Sequence, residues 1–426
     1  VLDDSTDDTT ERARRRVARA RERGVNAIVL HRARRAGFKA GALAAGLAQA
    51  RGTLICVFDA DFVPPPDFLR RVVGEFADPG VGMVQARWGH LNRDWSALTQ
   101  AQAIFLDGHF SIEQAARAGH GRFFNFNGTA GVWRRAAIED AGGWTHDTLT
   151  EDLDLSYRAQ MKGWRFVYRD DVEAPAELPV DIRAFKGQQR RWAKGSLQTA
   201  RKILPALWAS PAPLAIKLEA TGHLTCNLSY LLLILSILLL GPALVLPDTM
   251  PRWLSLGALS LLFATGMGAV AVFFYVAQRA RGTAARVALR RLPAALLLGV
   301  GMAWTNGRAV AEAFLPGVGG WERTPKEGVI ARGVRRPGAR YRPTHADRGF
   351  GEALMAALAL ALVGLAVAHG RWGAIPFLVF LASGFAWVGW LTFRAGRGDP
   401  AWRRRRAPAT AGGASRVPAL LTTSEQ

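Results

Sequence analysis

Three short clusters carry side chains suited to group transfer. The first is Asp59-Ala60-Asp61, which closes the apolar run Thr53-Leu54-Ile55-Cys56-Val57-Phe58. Residues two apart on an extended chain face the same way. Two carboxylates so placed can hold one hard cation, and that cation can grip a diphosphate. The plain alternative is that acidic residues after a strand cap the next helix. The second cluster is Thr150-Glu151-Asp152, followed by Leu153-Asp154-Leu155-Ser156-Tyr157-Arg158. Thr150 suits a helix N-cap, and acidic residues in a first turn are favoured by the helix dipole. The same helix start would fix the direction of a carboxylate that takes a proton from a hydroxyl, so both readings can hold together. The third is Gln188-Gln189-Arg190-Arg191-Trp192. Its guanidinium at Arg191 matches phosphate geometry, and the face of Trp192 suits the apolar face of a sugar ring. The competing reading is an amphipathic helix with basic residues near lipid head groups.

Alternating elements must position these clusters. Short apolar runs at 27–30, 53–58, 81–86, 129–133 and 165–168 read as strands. Amphipathic stretches at 9–23, 39–49, 67–76, 97–118 and 151–162 read as helices. Such alternation predicts an α/β domain over 1–180 with a mostly parallel sheet covered by helices. Ligands then sit beyond the carboxyl ends of the strands. Residues 181–213 are basic, with Phe185, Trp192 and Leu197, and suit helices lying at a membrane surface. Long apolar runs follow at about 219–246, 254–277, 293–315, 352–369 and 372–393. A spanning helix needs about 20 apolar residues. The segment 394–426 is rich in Arg, Pro, Ala and Ser and is expected to be disordered.

Half of the 426 residues are hydrophobic, yet the formal net charge is +21. Nucleic-acid binding would interleave basic residues with exposed aromatics on a soluble domain. Here the arginines cluster at the ends of apolar runs, as Arg279, Arg281, Arg286, Arg290 and Arg291 do after one run and Arg394, Arg397 and Arg403 to Arg406 after another. That pattern marks the cytoplasmic face of a membrane protein and excludes a nucleic-acid partner. Two cysteines, Cys56 and Cys226, offer neither a disulfide framework nor zinc-ligand spacing. The chain opens at Val1-Leu2-Asp3-Asp4, which reads as the end of a strand and so as a fragment lacking an N-terminal region.

The order DD, DxD, TED, QxxRW resembles the motif series of processive family 2 glycosyltransferases: cellulose, chitin, hyaluronan and mannan synthases. Longer stretches resemble the plant cellulose-synthase-like mannan and glucan-backbone synthases and their bacterial relatives. They are Val1-Leu2-Asp3-Asp4-Ser5-Thr6-Asp7, Phe38-Lys39-Ala40-Gly41-Ala42-Leu43, Phe58-Asp59-Ala60-Asp61-Phe62, Val84-Gln85-Ala86-Arg87-Trp88, Phe126-Asn127-Gly128-Thr129-Ala130-Gly131-Val132-Trp133-Arg134 and Gly142-Gly143-Trp144. Further on, Trp321-Glu322-Arg323-Thr324-Pro325-Lys326 resembles the family's gating-loop motif, with Trp for the usual Phe. Bacterial cellulose synthases carry Cys-Gly-Ser where this chain has Asn127-Gly128-Thr129, and Gln-Thr-Pro-His where it has Gln85-Ala86-Arg87-Trp88. These departures point away from a cellulose product.

The resemblance implies a GT-A-like domain followed by a helical membrane domain in the cell's inner (plasma) membrane, with the catalytic part cytoplasmic. It implies an inverting hexosyltransferase that moves a sugar from UDP-glucose or GDP-mannose to a β-linked polysaccharide. Asp152 would be the general base. Asp61 and Asp59 would bind Mg²⁺ or Mn²⁺, and Asp3, Lys39, Asp59 and Arg191 would hold the nucleotide sugar. Trp192, Gln188 and Glu151 would face the acceptor. Transfer of one sugar to a lipid acceptor is the alternative within enzymes, and a degenerate membrane channel the alternative outside them. Arginine placement further predicts four spans, about 219–246, 254–277, 352–369 and 372–393, with 293–315 kept at the interface. The segment 316–350 would be a cytoplasmic gating-like loop, because it holds eight Lys and Arg residues from Arg323 to Arg348.

Overall fold

The computed structural model describes residues 1–246, 252–317, 319–320, 323–326, 328–331, 334–335 and 348–397. The expected disordered tail beyond 397, Trp321 and Glu322 of the gating-like motif, and much of 316–350 lie outside the described residues.

The first half alternates as its apolar periodicity requires. In order it runs β1 (Leu2–Asp3), α1 (Thr9–Glu22), β2 (Leu30–His31), α2 (Phe38–Gln49), β3 (Leu54–Val57), α3 (Phe68–Val73), β4 (Val81–His90) and α4 (Ala97–Gly108). It continues with α5 (Ala115–Gly119), β5 (Gly131–Arg134), α6 (Arg135–Asp140), α7 (Glu151–Met161), β6 (Arg165–Ala176) and α8 (Ile182–Ala209). The central sheet has the order β3-β5-β4-β6. It is mixed rather than mostly parallel: β5 runs antiparallel to both neighbours, and β4 pairs in parallel with β6. β1 and β2 form a separate parallel pair. The strand expected at 27–30 shrinks to two residues, because Val25 and Ile28 are exposed and no sheet face buries them. β3 is an edge strand with Cys56 exposed, so the aspartates after it close an edge rather than a fully buried strand.

The two faces of this sheet bury separate cores. One gathers Met83, Phe124, Phe126, Trp133 and Leu155, the other Phe68, Val72, Val84, Val132 and Val172. Alternation along β4 explains this, since Met83 and Val84 must face opposite ways. The helix expected over 97–118 is divided. Ser96 and Thr99 form a reciprocal capping box at its start, and a π-helical turn, His109–Gln114, separates α4 from α5. π-turns often sit at functional sites because they re-aim side chains. Here the turn brings Gln114 and His109 to Asn127, at 3.1 and 2.9 Å.

The second half is helical: α9 (Leu214–Thr225), α10 (Leu228–Val245), α11 (Arg252–Ala280), α12 (Ala285–Gly301), α13 (Ala303–Glu312), α14 (Phe350–Ala368) and α15 (Ile375–Gly396). A short hairpin of β7 (Val329–Ala331) and β8 (Val334–Arg335) precedes α14. The run expected as one span at 219–246 breaks between α9 and α10. By length and composition alone, four described stretches could cross a membrane: Leu228–Val245, Ala285–Glu312, Phe350–Ala368 and Trp372–Gly396. Leu244, Leu362, Leu378, Leu381 and Phe385 share the main core of this bundle.

α8 joins the halves. Its Ile182 and Phe185 pack with Leu98 and Ile104 of α4 and with Ala295 and Leu298 of α12. Lys186 on α8 pairs with Glu352 on α14 at 2.7 Å, and Thr305 donates to the same carboxylate at 3.0 Å. Both side chains are almost fully buried, and each needs the other to offset its desolvation.

Candidate active site

Four segments converge beyond β3 and β5. Two residues past the edge strand β3 stands Asp59, whose backbone N–H donates to the Thr129 hydroxyl at 2.9 Å. Lys39, on the first turn of α2, donates to Asp59 Oδ1 at 2.7 Å and to the Gly128 carbonyl at 3.0 Å. Gly128 sits at φ +81°, and a Cβ there would lie 2.8 Å from Asp152 Oδ2 and 3.3 Å from Lys39 Nζ. Only glycine lets this backbone pass so near the carboxylate and the ammonium. Gln85 on β4 holds the same turn: its Oε1 accepts from Asn127 N at 2.9 Å and its Nε2 donates to the Thr129 carbonyl at 3.1 Å.

Asp152 is half-buried at the start of α7, with Oδ1 accepting from Leu153 N at 2.9 Å. Burial raises its pKa above the ordinary aspartate value, with Lys39 opposing. Glu151 is more deeply buried, and burial together with the neighbouring Asp152 pushes its carboxyl up to about 7 against the pull of Lys39. Burial disfavours the charged Lys39, but Asp59, Glu151 and Asp152 outweigh it and hold the lysine above its usual pKa. The site is therefore one ammonium among three carboxylates.

Thr150 occupies the N-cap position of α7 but makes no side-chain cap bond. Its hydroxyl instead meets that of Thr199 on α8 at 3.1 Å. Leu149 N donates to Gln198 Oε1 at 3.0 Å. The capping role expected of Thr150 is thus replaced by docking of α7 onto the helix that carries Gln188, Arg191 and Trp192. All three of those residues are half-buried. Trp192 lies 6.4 Å from Trp88 between ring centroids, and Trp88 in turn contacts Phe62 and Phe110, each at 5.3 Å.

The gating-like motif reaches this site. Lys326 Nζ lies 3.0 Å from Asp61 Oδ2 and also donates to the Glu177 carbonyl. Arg191 donates to the Thr324 hydroxyl at 2.6 Å. Asp3 stands apart, on β1. It is buried, and Thr10 and His31 meet its Oδ2 at 2.6 and 2.8 Å. Burial raises its pKa, but hydrogen bonds from Thr10, Ser5 and His31 prevail and hold it at about 2. Asp4 is engaged by Arg32 at 2.5 Å.

A dication fits the residues present. Asp59 and Asp61 supply hard oxygen donors, and lysines now meet the charge of both. Among the described residues no cluster of three or more His, Cys, Asp or Glu could hold a metal. Further ligands would therefore come from a diphosphate and water, the arrangement that suits Mg²⁺ or Mn²⁺ at phosphate sites.

The protein-family model described as Glycosyl transferase family group 2 matches residues 54–278, more than half of the chain. The chain belongs to that family. This family 2 glycosyltransferase is 44% identical over 209 residues to glucomannan 4-beta-mannosyltransferase 2 of Arabidopsis thaliana, covering 48% of this chain and 39% of the relative. Glucomannan 4-beta-mannosyltransferase 1 of Oryza sativa subsp. japonica is also 44% identical over 209 residues, covering 48% and 40%. The match thus spans about two fifths of each plant relative's length. A solved mannosyltransferase from Pyrobaculum calidifontis, in complex with GDP-Man and Mn2+, is similar at 22% identity with a TM-score of 0.43, over 68% of this chain and 74% of that one.

Within the glycosyltransferase, sequence reasoning singled out Asp59, Asp61, Asp152, Lys39 and Arg191, and the fold brings these five into one neighbourhood. It did not single out Gln85, Gly128, Trp88 or Thr199. The motif strings did contain Gln85, Gly128 and Trp88, but nothing local assigns them a partner.

Proposed function

We propose that this family 2 glycosyltransferase transfers a mannosyl group, with inversion, from GDP-mannose to the end of a growing β-linked polysaccharide at the membrane. The observation that carries this reading is the meeting of Lys39, Asp59, Asp152 and the Gly128 turn, joined to a 44% likeness to plant glucomannan mannosyltransferases.

In this reading Asp152 accepts the proton of the acceptor hydroxyl as it attacks the anomeric carbon. Its raised pKa, and that of Glu151, bring a carboxylate nearer to the working pH, which favours general-base catalysis. Asp59 and Asp61 would hold a dication, which when bound would neutralise charge building on the leaving diphosphate. Arg191 offers a fixed guanidinium to the same charge. Trp192 gives the acceptor's terminal sugar an apolar platform, with Gln188 one helical turn before it. Lys326 and Thr324 are placed to exchange partners when a donor enters, since Asp61 and Arg191 are what they now hold.

The topology proposed is four spans, α10, α11, α14 and α15, with α12 and α13 at the cytoplasmic interface even though their length and composition alone would let Ala285–Glu312 cross. Support comes from their packing: α12 lies on α4, Arg291 reaches Asp94 at 2.8 Å, and Ala309 and Val310 of α13 pack with Ala193 and Leu197 of α8.

The test is a donor screen on the membrane-reconstituted protein, reading nucleoside diphosphate release and product size. GDP release with a lengthening, mannose-containing product is expected. UDP release from UDP-glucose alone would overturn the donor assignment, and a single-sugar lipid product would overturn the polymer.

A further inference from the structure

The π-helical turn between α4 and α5 supplies no group to the transfer as proposed, yet its side chains end on the active-site loop. Gln114 is fully buried. Its Nε2 donates to the Asn125 carbonyl at 2.7 Å, and a carbonyl can only accept. The NH₂ end of Gln114 is therefore fixed. Its other N–H meets the Asn127 side chain at 3.1 Å, which must answer with Oδ1. The NH₂ end of Asn127 then faces His109 Nε2 at 2.9 Å. That nitrogen has to accept, so the imidazole is neutral and carries its proton on Nδ1. There Glu113 Oε2 stands at 3.2 Å to receive it. Burial raises the Glu113 pKa, but His109 and Arg117 prevail and keep it below the ordinary glutamate value. Arg117 lies 3.6 Å from that carboxylate and reaches Glu219 of α9 at 2.5 Å.

Each bond in this chain has one permitted direction, and the chain closes on Asn127. The next residue is Gly128, whose carbonyl accepts from Lys39 at 3.0 Å and whose backbone passes close to Asp152. A proton on His109 Nε2 would set one N–H against the N–H of Asn127. Turning the amide over would set its NH₂ against that of Gln114. With His109 charged, no orientation of Asn127 satisfies both neighbours, and the loop loses one of its two supports. Histidine is the side chain whose charge ordinarily changes between about pH 5 and 8. The titratable and charged groups around this one are Glu113 on its own turn, Arg117 on α5, and Glu219 and His223 on α9. From α4 comes Asp107, which His90, Arg93 and Gln278 hold. From β6 comes Tyr168, stacked on Phe110. β4 contributes the neutral Gln85 and Trp88, and α11 contributes Phe273 and Phe274.

We infer that His109 is a positioning residue for transfer: as the neutral Nδ1–H tautomer it locks the Asn127 amide, and with it the loop that sets Gly128 against Lys39 and Asp152. The inference rests on the reading of Lys39 and Asp152 as groups that act in transfer. His109 acts on both through Asn127.

The test follows nucleoside diphosphate release from GDP-mannose by the membrane-reconstituted full chain across the histidine range of pH. His109→Leu fills similar space without a nitrogen. It should cost up to about 10²-fold at about pH 8, the scale of a displacement near 1 Å. His109→Gln carries Oε1 as many bonds from its Cα as Nε2 is in the parent. It can accept from Asn127 but cannot titrate, and should recover most of that loss. The ratio of parental to His109→Gln turnover cancels the titration of Asp152 and Glu151, which both proteins share. That ratio should fall by roughly tenfold or more as the medium is made acidic. Glu113→Gln in the parent removes the anion that favours a charged imidazole, and should move the fall to lower pH. A ratio that stays flat with pH overturns the inference, as does parental turnover in His109→Leu. Should His109→Leu fail to fold, the pH dependence of the ratio still decides. A parent that releases no nucleoside diphosphate at any pH would instead overturn the proposed function beneath it.

Discussion

The hydroxyls of Thr150 and Thr199 lie 3.1 Å apart, and through them the helix bearing Asp152 is docked on the helix bearing Arg191 and Trp192. Gly195 makes the approach feasible, since a Cβ there would stand 2.6 Å from Thr150 Cγ2 and 3.0 Å from its backbone nitrogen. Gly195→Ala should therefore push α7 away without touching a reacting group. Overpacking of this kind costs about 1–3 kcal/mol, and a displacement near 1 Å can cost about 10²-fold in rate. Donor turnover should fall by that order while the protein remains folded by circular dichroism. Parental turnover in Gly195→Ala would show that the two helices are not held in register by this contact.

Asp152→Asn keeps shape and removes the base. Transfer should drop by about 10²–10⁴, with donor affinity nearly unchanged. The check is nucleoside diphosphate release beside a donor-binding isotherm, and turnover within a few-fold of the parent would remove Asp152 from this role.

Asp61→Ala should weaken donor binding, and excess chelator should stop the parent. Full activity in chelator would leave Asp59 and Asp61 as partners of Lys39 and Lys326 alone.

The raised carboxyl of Glu151 makes a stability prediction. Folded, it holds its proton up to about 7, whereas an ordinary glutamate loses it near 4.5. Between those values the folded state binds more protons than the unfolded one, so stability falls as pH rises through the window. The effect is on the order of 1–3 kcal/mol. Glu151→Gln should therefore stabilise the ligand-free protein at neutral pH and leave it little changed near pH 4. Thermal unfolding at both pH values measures this, and an equal shift at both would show that the carboxyl does not titrate there.

Topology can be read with single cysteines in a Cys56→Ser/Cys226→Ser background. His369→Cys, after α14, should label from outside intact cells, and Arg348→Cys, before α14, only once the inner face is opened. Outside labelling at position 348 would mean that the stretch from α12 to α13 crosses the membrane.

The sequence by itself determined the alternating first half, the apolar second half, the family and the identity of the charged residues. Those features are written in local periodicity, in the spacing of Asp59 and Asp61, and in the motif order. It also marked Gly128 and Trp88 inside longer strings. Only the tertiary structure decided that β3 is an edge, that β5 runs against both neighbours, and that Thr150 docks on Thr199 rather than capping its helix. It alone placed Lys39 among three carboxylates and Lys326 on Asp61, 265 positions apart in the chain by numbering. The reason is physical. Helix and strand periods are properties of neighbouring residues. A pKa or the partner of a hydroxyl instead depends on which distant segments burial brings together.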